Sequence, residues 1–368
     1  MKERFFDSKR GIVFTGAVIG ILAVILMQLE DLLQTEFCIA CFMDDLAGVL
    51  GLYKVTAAQY FQLEIIGVVL GAFLMAFYRR EFSTREGSSP LIRFVLGFLV
   101  MVGILMFLGC PLRMTLRLGE GDLNALWGLA GLVTGIVIGI FFLKRGFGLK
   151  RNYCLPKFKG PLYFLVMISL LILFLLRPLI FYFSKLGFDF IQPVIWFSFL
   201  VGIVIGILAQ RTRLCLVGGF RNLFLCKDTY LFLGFLSILV FTTFANINAG
   251  TYKLGFRGQP LAHTASLWNF LAMVLIGWSS LFLGGCPLRQ LVLLGEGKID
   301  ALVTFLGMLA GAVFAHYFKV ASSVIGPTFS GKIAVTISLV ILFFIAYSNT
   351  EDLKLKRKGK ESKFDYLR

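Results

Sequence analysis

Charged side chains are scarce in this sequence. They make up 15% of its 368 residues, whereas 58% of the residues are hydrophobic and the mean hydropathy is +0.87. A soluble domain has about a quarter of its residues charged, so this chain has too little polar surface to face water on all sides. This shortage excludes an ordinary soluble domain and predicts a polytopic membrane protein.

Histidine is also scarce, with two residues, and the seven cysteines are odd in number. An odd, irregularly spaced set does not indicate the disulfide framework of a small secreted domain. Cys38 and Cys41 form a lone C-x-x-C motif, but no second cysteine pair or nearby histidine completes four zinc ligands. The chain also has no nucleotide, flavin or haem motif. We therefore expect no metal and no cofactor.

Apolar runs of about 20 residues, the length needed to cross a bilayer, recur along most of the chain. They predict about ten spans: 11–29, 60–77, 90–108, 123–143, 162–184, 190–209, 229–247, 267–283, 300–318 and 331–348. Four further apolar stretches are too short or too broken to cross, and we interpret them as re-entrant helices buried in protein: 34–50, 109–121, 211–226 and 285–297.

The net charge of +16 is carried largely by short loops and the tail. If the four short stretches return to their own side, most Lys and Arg fall on the side of the two termini. The positive-inside rule then predicts a multi-pass protein of the bacterial inner membrane with both termini in the cytoplasm. No cleavable signal peptide is evident. This distribution indicates topology and lipid contact, not nucleic-acid binding.

An internal repeat organises the chain. The segment "GCPLRMTLRLGEGDLNAL", from Gly109, matches "GCPLRQLVLLGEGKIDAL", from Gly285. An earlier pair, "TEFCIACFMDDL" and "TRLCLVGGFRNL", aligns at nearly the same offset. One extra helix separates the halves, so the second is predicted to be inverted, an arrangement found in many transporters. The expected units are a cytoplasmic N-terminus (1–10), a first repeat (11–143), a basic loop with a linking helix (144–189), a second repeat (190–318), a final helix (319–348) and a basic tail (349–368).

The repeated GCPLR segment predicts a short helix of about eight residues that begins at its proline and ends at glycine. Cys110 and Cys286 then lie at helix N-termini, where unpaired N–H groups favour anions. Arg113 and Arg289 add a cation one turn later. The alternative is a small apolar cysteine packed in a tight turn beside an arginine that extends to the lipid headgroups.

The other repeated cysteines are Cys38 and Cys215. Arg213 and Arg221 accompany Cys215, whereas the Cys38 segment carries acidic residues in place of these arginines. Glu120 and Glu296 follow the two GCPLR helices, and we expect them to pair with the arginines. The remaining cysteines, Cys154 and Cys226, are not duplicated and are interpreted as incidental, as are the two histidines. Glu64 is a candidate intramembrane carboxyl group.

At the two GCPLR-GEG segments, "EFCIACFMDDLAGVLGL", "GSSPLIRFVLG" and "QRTRLCLVGGFRN", the sequence resembles the YeeE/YedE family of membrane proteins, and more closely its branch associated with selenium metabolism. The resemblance covers roughly residues 11–348. It implies a transporter in which cysteines along an hourglass-shaped route pass an anion such as thiosulfate by thiol hydrogen bonds. The matching positions in this chain are Cys38, Cys110, Cys215 and Cys286.

These observations predict a transporter, not an enzyme, for a small selenium- or sulfur-containing anion. The residues expected along its route are Cys38, Cys110, Cys215, Cys286, Arg113, Arg289, Arg213, Arg221, Glu120 and Glu296. The candidate partners are the anion, membrane lipid and a cytoplasmic sulfur or selenium carrier protein. Two alternatives stay open: a membrane thiol or selenol redox enzyme, and a scaffold for a selenium-handling partner.

Overall fold

The computed structural model describes residues 5–30, 46, 63–83, 85–86, 89–149, 153–154, 192–259 and 262–350. The helices in these ranges are α1 (Lys9–Glu30), α2 (Leu63–Tyr78), α3 (Pro90–Phe107), α4 (Pro111–Glu120), α5 (Asn124–Lys144), α6 (Gln192–Thr212), α7 (Leu216–Cys226), α8 (Tyr230–Ala249), α9 (Ser266–Leu283), α10 (Pro287–Gly295), α11 (Ile299–Tyr317) and α12 (Phe329–Ser348). A short 3-10 helix, Phe5–Asp7, precedes α1. Two strands of two residues, β1 (Arg85–Glu86) and β2 (Tyr153–Cys154), pair antiparallel.

Eight helical stretches in the described residues are long and apolar enough to cross a membrane. Three of these stretches have 30 or 31 residues and contain a break between two helices: Pro90–Glu120, Trp196–Cys226 and Ser266–Gly295. Helix α2 is apolar but has 16 residues. The predicted all-α polytopic membrane architecture is confirmed. Every predicted span except 162–184, which lies outside the described residues, coincides with a helix to within three residues at each end.

Two of the three breaks arise where the repeated GCPLR segment begins. Leu108 and Gly284, the residues that follow α3 and α9, adopt left-handed backbone conformations with φ of 61° and 84° and so end those helices. Pro111 and Pro287 then open α4 and α10, because proline is tolerated in the first turn of a helix but not in its interior. Helix α4 has ten residues and α10 has nine, close to the predicted length. Short helices therefore occupy three of the predicted re-entrant stretches, and the fourth, 34–50, lies outside the described residues apart from Leu46.

Helix packing repeats between the two halves of the chain. Helices α1 to α5 correspond in order to α6, α8, α9, α10 and α11, and each principal contact has a counterpart under this exchange. Thus α2 packs on α6 as α8 packs on α1, and α3 packs on α11 as α9 packs on α5. Likewise α4 packs on α8 and α10 packs on α2. The two short helices that follow GCPLR therefore each lie against the opposite half.

The α2–α6 contact shows why glycine is abundant here. A Cβ atom on Gly202 would lie 2.0 Å from the carbonyl oxygen of Glu64, and one on Gly206 would lie 2.2 Å from that of Val68. Small residues at such spacing let two helix backbones approach closely, which increases the van der Waals packing that favours helix association in lipid. This contact fixes α6, and with it the turn that leads to Cys215.

Candidate functional site

Three of the four repeated cysteines lie at the start of a short helix. Cys110, Cys215 and Cys286 are the residues immediately before α4, α7 and α10, and each has an extended backbone. All three are buried, and at most 4% of each residue is exposed. The first N–H groups of a helix have no partner within that helix, so each thiol lies beside a partly positive helix end. The predicted placement of Cys110 and Cys286 at helix N-termini is confirmed.

Cys215 and Cys286 lie together. Their Sγ atoms are 3.8 Å apart. The Cys215 sulfur also accepts hydrogen bonds from the backbone N–H groups of Gly218, at 3.2 Å, and of Cys286, at 3.4 Å. The N-termini of α7 and α10 therefore converge on one sulfur atom. Such a site stabilises negative charge, whether on the sulfur or on an anion that replaces these contacts.

The first repeat contains the matching residues only in part. Cys110 occupies the position of Cys286 and is 1% exposed. Cys38, the counterpart of Cys215, lies outside the described residues, as does Cys41. Of the unduplicated cysteines, Cys226 is exposed and ends α7, and Cys154 belongs to β2.

The arginines of both GCPLR segments pair with the glutamates of the following GEG segments, as predicted. Arg113 Nη1 lies 3.2 Å from Glu120 Oε1, and Arg289 Nη1 lies 3.1 Å from Glu296 Oε1. The first pair is more deeply buried, with side chains 1% and 8% exposed against 14% and 11% for the second. Each arginine is thus held near its cysteine turn with much of its charge balanced.

A cavity of about 420 Å³ lies beside the turn that precedes Cys215. Its lining residues are Asp7, Glu81, Arg211, Thr212, Arg213, Asn222, Tyr230 and Leu231. Arg213 is exposed there and has a left-handed backbone, with φ of 52°. Burial opposes the ionisation of Glu81, but a hydrogen bond from Gln210 and the charges of nearby arginines outweigh it and lower the pKa of this carboxyl. The cavity therefore presents charges of both signs.

The second predicted arginine near Cys215 has a different role. Arg221 donates through Nε and Nη2 to the side-chain oxygen of its neighbour Asn222, at 3.1 and 3.0 Å. The structure thus places Arg213 in the cavity lining and ties Arg221 to a residue of that lining.

Sequence reasoning missed a buried polar cluster at the C-terminus of α3, which precedes the Cys110 turn. Arg117 and Asp122 form an ion pair at 2.7 Å with both side chains 1% exposed. His263, interpreted from the sequence as incidental, lies just before α9, is 1% exposed, and has its Nε2 2.9 Å from the carbonyl oxygen of Met106. The available signal was Arg117, an arginine inside an apolar segment. A buried arginine in a membrane protein requires a partner.

Two other polar features lie within spans. Arg93, on α3, pairs with Asp300, on α11, at 3.3 Å. Glu64 is fully buried on α2, consistent with its interpretation as an intramembrane carboxyl. Within the described ranges, no group of three His, Cys, Asp or Glu side chains is arranged to hold a metal ion.

Comparison with known proteins adds two similarities. Residues 211–358, which include Cys215 and Cys286, match the family described as Sulphur transport. The chain is also 28% identical over 174 residues to the thiosulfate transporter TsuA of Escherichia coli (strain K12), a match that covers 42% of this chain and 47% of the relative. The match thus spans about half the length of that relative. Together, the two similarities support a YeeE/YedE family transporter, and neither bears on the selenium-associated branch.

Proposed function

We propose that this protein transports a small sulfur- or selenium-containing anion across the membrane along a route lined by cysteine thiols. The route comprises Cys38 and Cys110 in the first repeat and Cys215 and Cys286 in the second. The observation that carries the proposal is the convergence of two helix N-termini on the Cys215 sulfur, 3.8 Å from that of Cys286. The similarity to sulphur transport proteins and to a thiosulfate transporter supports the substrate class.

The chemistry of the thiols suits a transient site. An S–H group is a weak hydrogen-bond donor, and a soft, polarisable sulfur or selenium atom is a suitable neighbour for it. The backbone N–H groups of Gly218 and Cys286 are aimed at the same point and stabilise the negative charge. Transport requires binding that is favourable enough for the anion to enter and weak enough for it to leave. Thiols combined with backbone donors provide such moderate affinity.

The arginines also favour moderate affinity for the anion. Because Glu120 and Glu296 balance Arg113 and Arg289, the anion meets a partly neutralised cation and is not trapped by an ion pair. Arg213, exposed in the cavity beside Cys215, and the adjacent Arg221 raise the local concentration of anions at that end of the route. Both termini lie in the cytoplasm in this proposal, so Cys215 and Cys286 form the inner part of the route, and a cytoplasmic sulfur or selenium carrier protein receives the anion.

Uptake into liposomes tests the proposal. Purified protein in sealed vesicles is expected to accumulate radiolabelled thiosulfate or selenite, and unlabelled substrate should compete. Cys215→Ala or Cys286→Ala should lower the initial rate by at least about tenfold, the consequence of losing a contact worth about 1.4 kcal/mol in the rate-limiting barrier. Cys226→Ala is the matched control, because Cys226 is exposed at the end of α7, and it should transport normally. Unchanged uptake in both Cys215→Ala and Cys286→Ala would refute the thiol route.

The short distance between Cys215 and Cys286 also favours a second candidate, a thiol redox enzyme. In this alternative the Cys215 thiolate attacks the outer sulfur of thiosulfate, the S–S bond breaks and sulfite leaves. Cys286 then attacks the resulting persulfide, which forms a disulfide and releases hydrosulfide, and a cytoplasmic thiol reduces the disulfide. Such an enzyme would release sulfite in detergent, without sealed vesicles, and Cys286→Ser would accumulate a persulfide on Cys215. A transporter would show neither result.

A further inference from the structure

In both repeats, the helix before the GCPLR turn ends at an equivalent residue, whose backbone carbonyl is buried in the protein. These groups belong to Phe107 in α3 and Leu283 in α9, and their separation, 283 − 107 = 176 residues, equals the offset between Gly109 and Gly285. The last carbonyls of a helix have no partner within it. Inside a membrane protein they require a donor from elsewhere, since no lipid group can supply one.

In the first repeat this donor is Arg117. Its Nη1 donates to the Phe107 oxygen at 3.1 Å, and its Nε donates to Asp122 at 2.8 Å. Asp122 in turn accepts the backbone N–H of Asn124, the first residue of α5, at 2.8 Å. A chain of carbonyl, arginine, aspartate and N–H thus joins the C-terminus of one helix to the N-terminus of another. The arginine charge is opposite to the partial negative charge at the C-terminus of α3, and the aspartate charge is opposite to the partial positive charge at the N-terminus of α5.

The second repeat cannot form the same chain, because Leu293 and Lys298 occupy the positions of Arg117 and Asp122. Instead, Arg93 approaches from α3. Its Nη1 donates to the Leu283 oxygen at 3.4 Å, and its Nη2 lies 3.3 Å from Asp300 in the first turn of α11. A non-equivalent arginine and aspartate therefore join equivalent helix ends.

A second donor supports the same carbonyl. Gln290, on α10, donates through Nε2 to the Leu283 oxygen at 3.1 Å. The Leu283 carbonyl, three residues before Cys286, is thus held by one side chain from its own repeat and by Arg93 from the other.

We propose that Arg93 is a positioning residue for Cys286, acting through Leu283 and Asp300. The inference rests on the proposed function, in which Cys286 is a stage on the route. It adds that Arg93, from the first repeat, sets the position of a thiol in the second. The Phe107 carbonyl, which precedes the Cys110 turn, receives its arginine from its own half, whereas the Leu283 carbonyl receives its arginine from the other half. The turn before Cys286 is thus held partly by a residue of the other half, so loss of Arg93 should loosen Cys286 relative to Cys215.

Cross-linking of Cys215 to Cys286 tests this inference without requiring transport. The full chain, with Cys226→Ser, is treated in liposomes with a mild thiol oxidant, and the linked peptide is quantified over time by mass spectrometry. Arg93→Gln should slow cross-linking about tenfold, the effect of losing one charged hydrogen bond that holds the turn. Arg93→Lys retains a charged donor near both partners and should stay within about twofold of the parent.

Two further variants complete the test. Asp300→Asn should slow cross-linking less than Arg93→Gln does, because the Leu283 contact persists, and it carries the test if Arg93→Gln does not fold. Arg79→Gln, which removes the Arg79–Glu81 pair at 3.5 Å, is the control and should cross-link at the parent rate.

The outcomes separate this inference from the proposed function. Parental cross-linking rates in Arg93→Gln and Asp300→Asn overturn the positioning role, and so does a rate in Arg93→Lys as low as in Arg93→Gln. Absence of uptake by the parent protein overturns the proposed function alone, because the cross-linking rates are measured independently.

Discussion

Removing the charge of Asp122 should destabilise the protein strongly. Arg117 and Asp122 form an ion pair at 2.7 Å, and each side chain is 1% exposed. Asp122→Asn keeps the shape of the side chain and its acceptor for the Asn124 N–H, but it leaves a buried guanidinium without its contacting carboxylate. Breaking a buried pair by removing one partner costs about 3–5 kcal/mol. We expect a loss of this size in the free energy of unfolding.

A double variant isolates the cause. In Arg117→Met with Asp122→Asn the buried charge is gone, and the remaining loss is the hydrogen bond from Arg117 to the Phe107 carbonyl, worth about 1–2 kcal/mol. The double variant should therefore be more stable than Asp122→Asn alone. The assay is equilibrium unfolding in mixed micelles of increasing denaturing-detergent fraction, followed by tryptophan fluorescence. If the double variant is no more stable than the single one, uncompensated charge is not the source of the cost.

The second repeat provides an internal comparison. Arg93 and Asp300 form an ion pair at 3.3 Å with side chains 13% and 12% exposed. Solvent access and the longer distance weaken this pair, so Asp300→Asn should cost about 1–2 kcal/mol, less than Asp122→Asn. An equal cost for the two substitutions would show that burial does not set the difference.

Two further predictions concern pH and packing. Burial lowers the pKa of the His263 imidazole, and the hydrogen bond with Met106 offsets this only in part. The folded protein therefore binds fewer protons than the unfolded chain below about pH 6.5, so the free energy of unfolding should fall as the pH drops. Thermal unfolding between about pH 5 and 8 should show a flatter slope for His263→Gln, and a slope identical to the parent's would contradict the assignment. Gly202→Ala should cost about 1–3 kcal/mol in the same unfolding assay, because its Cβ would lie 2.0 Å from the Glu64 oxygen. Gly148→Ala, whose Cβ meets nothing within 4 Å, should be neutral, and an equal loss in both would contradict the packing argument.

Local patterns predicted the elements of the fold well. Apolar runs located the described spans because burial in lipid requires about 20 apolar residues in succession, whatever their partners. The proline of GCPLR located the start of α4 and α10, because its ring and missing N–H act on the adjacent turn. The pairing of Arg113 with Glu120 was also readable, since residues seven apart lie on the same face of a helix.

Local sequence patterns did not predict the contacts between distant segments. His263 was interpreted as incidental, yet its ring lies against the Met106 carbonyl, 157 residues away in the sequence. The contacts of Arg93 with Leu283 and Asp300 likewise depend on how α3, α9 and α11 pack. Such partners follow from tertiary packing, and no local spacing encodes them.

By itself, the sequence determined a helical membrane protein in which the order of spans and cysteine-containing segments is repeated. Hydrophobicity and proline geometry act on neighbouring residues, and the repeat is found by aligning the two halves of the chain. Only the tertiary structure decided that the sulfur atoms of Cys215 and Cys286 lie 3.8 Å apart, because their 71-residue separation is closed by the packing of α7 against α9 and of α10 against α6. It also decided that two non-equivalent arginines, Arg117 and Arg93, donate to the equivalent carbonyls of Phe107 and Leu283. Buried helix-end carbonyls require a donor, and packing determines which side chain is close enough to supply it.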